Sequence, residues 1–121
     1  MKKALLFLMV CFMVAGFSTA AAAADVKMAL ATGGTAGTYY PFGGAMAKIW
    51  NSKIPGMNVT AQATGASVEN VRLVNRGEAE LAIVQSDTID FAFNAKEAFK
   101  EKLTKMAVLA TLYPEVIQVV V

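Results

Sequence analysis

The chain has 121 residues, 56% of them hydrophobic, with 11 basic and 9 acidic side chains, no histidine and one cysteine. The missing histidine removes the commonest general base and metal ligand. The formal charge of +2 falls to zero without Lys2 and Lys3 of the expected leader, which leaves no basic field for nucleic acid or an anionic membrane surface.

The chain opens on Met1-Lys2-Lys3, then an apolar run from Ala4 to Phe17, Ser18, Thr19 and the alanines 20–24. A basic start, a short apolar core and a small-residue A-x-A site read as a secretory signal peptide. Ala22 and Ala24 flank the cut, so residues 1–24 are expected to be removed. A membrane anchor is the alternative, but the run is shorter than the roughly 18–20 residues a spanning helix wants. Cys11 lies inside this leader behind Met9 and Val10 rather than small residues, which argues against lipidation. The mature chain then has no thiol chemistry. Removing Lys2 and Lys3 takes the basic count from 11 to 9, equal to the 9 acidic residues. Removing 24 residues from 121 leaves 97, enough for one small domain core.

Val26 to Ala31 is a short apolar run ending before Gly33-Gly34 and is predicted as a strand. A helix is predicted over 40–52, with Pro41 in its first turn and Phe42, Ala45, Met46, Ile49 and Trp50 as its buried stripe. After the Pro55-Gly56 turn, Asn58 to Ala63 alternates as a second strand. Ser67 is the expected N-cap of a helix over 68–76 that ends at Gly77. Its stripe is Val68, Val71 and Val74 or Leu73.

Leu81 to Val84 is a continuous apolar run, as in a strand covered on both faces. A short helix over 88–94 follows. A charged helix is predicted over 96–105, where Glu97 with Lys100 and Glu101 with Lys105 fall at helical spacing. Met106 to Leu112 reads as a fourth strand, Tyr113-Pro114-Glu115 as a break, and Val116 to Val121 as a fifth strand. The apolar ending suggests the front part of a longer protein; a complete small domain is the alternative.

Alternating strands and helices predict an α/β fold with a mainly parallel sheet. Right-handed crossovers then bring the strand-to-helix loops 32–40, 64–67 and 85–87 to one edge. Ligands of open α/β sheets bind at that edge, where helix N-termini offer free N–H groups. Thr35, Thr38, Tyr39, Ser67 and Ser86 add hydroxyls, and none of the three loops carries Lys or Arg. Such loops suit one or two carboxylates or a polar zwitterion better than a triphosphate. The bland readings are a tight turn for the Gly-Thr loop, a helix cap for Ser67 and packing for Tyr39 and Tyr40.

Enzyme motifs are weaker. "GGTAGTYY" lacks the Gly-Lys-Ser/Thr of a P-loop and the third glycine of a dinucleotide fingerprint. Asp87 and Asp90 lie three apart, but a metal site needs more ligands. No catalytic residue, metal or cofactor is expected. Capture of a small molecule without chemistry is the simpler account.

"GGTAGTYYPFGGAMAKIWN", "ATGASVENVRLVNRGEAELAIVQSD" and "LATLYPEVIQVVV", in that order, resemble the extracytoplasmic solute-binding protein of TRAP transporters, TAXI type. The resemblance covers Asp25 to Val121. It implies a two-lobed, type II-like periplasmic binding protein that captures a small carboxylate, such as a glutamate-like amino acid or a dicarboxylate. It also implies delivery to TRAP membrane subunits, a periplasmic location, and no membrane insertion once the leader is cut. Members are about three times longer, so residues 25–115 would be the first lobe and 116–121 a strand toward the hinge and a second lobe.

Carried over by position, Gly34, Thr35, Thr38 and Tyr39 match the family's first loop, and Ala66 and Ser67 the second. Gln85, Ser86 and Asp87 match the third, and Tyr113 the aromatic near the crossing segment. Thr35, Tyr39, Ser67 and Gln85 are the expected ligand-facing residues, followed by Tyr113. Arg72 and Arg76 are expected on a solvated helix face. An ABC-type binding protein, a small secreted α/β enzyme and an adhesion or signalling module that reuses the lobe are the competing readings.

Overall fold

A computed structural model describes residues 25–116 and Val119. The leader 1–24, and with it the predicted cleavage site, lies outside the described residues, as do 117, 118, 120 and 121 of the predicted final strand. The elements are β1 (Val26–Ala31), α1 (Tyr39–Lys53), β2 (Met57–Gln62), α2 (Ser67–Arg76), β3 (Leu81–Ala82) and α3 (Ser86–Asn94). The three strands form a parallel sheet in the order β2-β1-β3. The expected α/β fold with a parallel sheet is what the chain adopts.

Strand pairing sets the layers. Met28 is opposite Val59, and Leu30 is opposite both Ala61 and Leu81. Paired residues of a parallel sheet share a face, so Met28, Leu30, Met57, Val59, Leu81 and Ile83 form one apolar surface. Ala47 and the partly buried Met46, Trp50 and Tyr39 of α1 cover it. At opposite parity, Val84 joins a second core with Val71, Ala92, Phe99 and Leu103 under α2 and α3. The right-handed crossovers β1 to β2 and β2 to β3 run in opposite directions along the sheet and so place their helices on opposite faces.

The stripe of α1 differs from its prediction. Its buried residues are Gly43 and Ala47, whereas Phe42 and Ile49 are exposed. A Cβ at Gly43 would stand 2.6 Å from Thr32 Cγ2 and 3.2 Å from Leu30 Cδ2. The helix therefore comes closest to the sheet at Gly43 and Ala47, flanked by Met46 and Trp50, and Phe42 and Ile49 of the predicted stripe turn outward.

The end of α2 follows its expected chemistry. Gly77 is left-handed at φ 73°; its N–H donates to Val74 O at 3.0 Å, and that of Glu78 to Leu73 O at 2.9 Å. This pair of bonds is a Schellman motif.

Two side chains complete the sheet. The Glu80 carboxylate accepts from the Ala29 N–H at 2.7 Å, filling the place beside β1 just before β3 begins. On the opposite edge, the Asn51 amide donates to Val59 O at 2.9 Å and accepts from Val59 N–H at 2.6 Å. It covers the exposed edge of β2 as a strand would.

The predicted helix over 96–105 does not form. Ala95 and Glu97 take positive φ, and the chain turns so that Phe99 and Leu103 enter the second core. Met106 to Leu112 is not a strand either, because no neighbouring strand pairs with it among the described residues. Val116 and Val119 likewise lie outside any strand. β3 is only two residues long, shorter than its predicted run to Val84.

Candidate functional site at the strand ends

All three strands run parallel, so the loops 32–38, 63–66 and 83–85 share one edge of the sheet. Asn70, fully buried in the first half of α2, ties the three strand ends together. Its Nδ2 donates to Thr32 O at 2.6 Å and to Ile83 O at 2.8 Å. Its Oδ1 accepts from the Thr64 hydroxyl at 2.6 Å, and Thr64 Oγ1 accepts from the Ala66 N–H at 3.2 Å. Thr32 adds a link from β1 to β2, its hydroxyl donating to Gln62 O at 2.6 Å. Every polar atom of this buried set has a partner, which makes the rim rigid.

Ala66 precedes α2 with φ 66° and ψ −153°, a region that almost only glycine visits. Ser67 is therefore the first helical residue and not the predicted N-cap. Its hydroxyl accepts from the Gln85 N–H at 3.0 Å, joining the second loop to the third. The Glu69 carboxylate turns back to the Gly65 N–H at 2.6 Å.

Tyr39 begins α1, and its phenol stands beside Ser67 and Glu115. Burial, then the Glu115 carboxylate, pushes its pKa up to about 12, while the Ser67 hydroxyl works the other way. The Tyr113 hydroxyl donates to Glu115 Oε1 at 3.3 Å, and the Tyr113 ring meets Phe42 edge-on at 5.6 Å and 73°. Burial, then Glu115, raises the Tyr113 pKa as well. Tyr39, Ser67, the Gln85 backbone and, through Glu115, Tyr113 thus neighbour one another at the strand-end edge.

The other expected residues lie around its rim. Gly34 and Thr35 occupy an exposed turn closed by the Gly37 N–H on Gly34 O at 2.9 Å. Thr38 occupies the N-cap position of α1 with no side-chain cap bond. Ser86 and Asp87 open α3, and the Asp87 carboxylate accepts from the Thr88 N–H at 2.6 Å. Arg72 and Arg76 have partners of their own. Arg72 donates to Ala98 O at 2.7 Å and lies 5.5 Å over the Phe99 ring. Arg76 pairs with Glu78 at 2.6 Å. Asp90 binds Asn94 and Lys96 rather than joining Asp87. Among the described residues no three His, Cys, Asp or Glu side chains gather as a metal site would need.

Asn70, Thr64 and Glu115 were not singled out from sequence. Asn70 carried the clearest signal, a polar residue three positions after Ser67 and four before Val74, hence on their side of the helix. Glu115 carried only its place after Pro114.

A model of the NMT1-like family matches residues 30–121, from inside β1 across the whole strand-end rim. The chain belongs to the NMT1-like family. NMT1-like proteins are of the periplasmic solute-binding type, which makes this an extracytoplasmic chain of a kind that takes up a small ligand. The TAXI resemblance is the narrower reading within that type. Among the described residues no helix is long and apolar enough to cross a membrane.

Proposed function

We propose that this NMT1-like chain is the solute-binding subunit of a TRAP transporter of TAXI type, and not an enzyme. It captures a small carboxylate, a glutamate-like amino acid or a dicarboxylate, in the periplasm and delivers it to membrane subunits. The observation that carries this reading is the meeting of Tyr39, Ser67 and the Gln85 backbone at the N-terminal ends of three helices. Helix N-termini favour negative charge. Hydroxyls orient a carboxylate without donating a full charge, so the ligand can leave again. Binding followed by release is what these groups can do. Closure against a second lobe would bury the ligand and form the surface that the membrane subunits recognise.

Thermal melting of the full chain with a panel of small carboxylates tests the reading. A ligand at 100 times its Kd stabilises by about 2.7 kcal/mol. Ser67→Ala and Tyr39→Phe are expected to reduce that stabilisation. If neither change alters affinity, the site lies elsewhere. Uptake driven by an ion gradient without ATP, in vesicles carrying the membrane subunits, tests the transporter class.

A further inference from the structure

The stretch from Met106 to Val116 runs without helix, turn or bend and without a positive φ. It is extended chain, yet among the described residues no backbone group from 106 to 115 has a hydrogen-bond partner. Its ends are tied down. The Lys105 N–H donates to Asn75 Oδ1 at 3.1 Å, Met106 packs on the second core, and the Tyr113 ring meets Phe42. Between these anchors Val108 is 66%, Leu109 81% and Leu112 44% exposed. Extended apolar chain with an open backbone is a template for another strand.

We propose that segment 106–114 pairs antiparallel with the same segment of a second copy of this chain, across a two-fold axis at Ala110. The end charges choose both the copy and the register. No charged residue lies between Lys105 and Glu115, and each of these stands five positions from Ala110. Two-fold pairing centred there sets Lys105 of each copy against Glu115 of the other. Opposite charges facing across a strand pair stabilise it, and like charges destabilise it. Neither end charge has an ion-pair partner among the described residues. Pro114 fits the same register. Residues of an antiparallel pair alternate between those whose N–H points at the partner and those whose N–H points away. Pro114, with no N–H to give, belongs to the second set, and so do Met106, Val108, Ala110 and Leu112. Val108 then faces Leu112 where side chains of a strand pair come closest, and Leu109 lies opposite Thr111. The small Ala110 meets its own copy at the axis, where a larger side chain would crowd. The interface is isologous and closes on two copies. It is independent of what the strand-end rim binds.

Sedimentation velocity of the full chain tests the pairing at concentrations up to about 100 µM, well above the micromolar Kd of a weak interface. A concentration-dependent dimer is expected. Glu115→Lys sets like charges opposite one another at both ends and should weaken the dimer about tenfold. Lys105→Glu alone should do the same, and both changes in one chain should restore the dimer. Should Glu115→Lys disturb the fold by circular dichroism, Lys105→Glu is read in its place. Leu109→Pro removes an N–H that points at the partner and should abolish the dimer. A monomer at every concentration overturns the proposal; slow hydrogen exchange at 107–112 in that monomer would show the segment covered by its own chain. A dimer indifferent to Leu109→Pro forms through another surface and overturns it too. So does a double charge variant that dimerises no better than either single one, because Lys105 and Glu115 would then not face each other.

Discussion

The Thr64 hydroxyl donates to Asn70 Oδ1 at 2.6 Å, and this bond fixes which way the buried amide points. Thr64 Oγ1 already accepts from the Ala66 N–H, so its own proton is free for Asn70. The Nδ2 group then meets two carbonyls, Thr32 O and Ile83 O, which can only accept. The reverse orientation would set Oδ1 against two acceptors.

Asn70→Ala is therefore expected to cost about 3 kcal/mol or more, since it strands two carbonyls and a hydroxyl in a dry site. Asn70→Asp keeps the acceptor for Thr64 but loses both donors and should be comparably damaging. Urea unfolding of each variant measures this. A loss under about 1 kcal/mol for Asn70→Ala would show that the three strand ends do not depend on it.

Ala66 holds a backbone conformation that costs a residue with a Cβ about 1–3 kcal/mol. Ala66→Gly should raise stability by about 1 kcal/mol after the extra chain entropy of glycine is paid. A fall in melting temperature would mean that Ala66 is not strained there.

Gly43→Ala should destabilise by about 1–3 kcal/mol, because the new methyl meets Thr32 Cγ2 at 2.6 Å and the core is packed. Gly44, with nothing within 4 Å of an added Cβ, is the matched control. Gly44→Ala should be neutral or stabilising, helped by the better helix propensity of alanine.

The raised Tyr39 pKa makes a pH prediction with a definite sign. In the folded protein the phenol keeps its proton up to about 12, against 10.0 unfolded. The folded state therefore binds more protons between those values, and stability falls as pH rises from about 10 to about 12. Below 10 the contribution is fully present. Tyr39→Phe should flatten the alkaline limb of a melting-temperature profile; an unchanged slope would place the phenol in an ordinary solvated setting.

Much of this architecture was legible in the residues, and the exceptions have physical causes. β1 coincides with its predicted run because "VKMALA" is apolar and bounded by glycine. Gly77 was legible because a left-handed helix end wants glycine. The segment 96–105 misled. Its charge pairs are worth only about 0.2–0.5 kcal/mol each, whereas burying Phe99 and Leu103 yields about 1.5–3 kcal/mol apiece. The turn that inserts them wins over the helix. At the site, the loops could be assigned to one edge from topology alone. The Asn70 hub could not, because its three partners lie 6, 13 and 38 residues away.

The amide that Asn51 lays along Val59 also decides where this sheet can grow. A strand arriving from another molecule at β2 would first have to evict a side chain that already satisfies both of the Val59 backbone groups. Runaway stacking of copies through that margin is discouraged. The sheet is thereby finished at that margin.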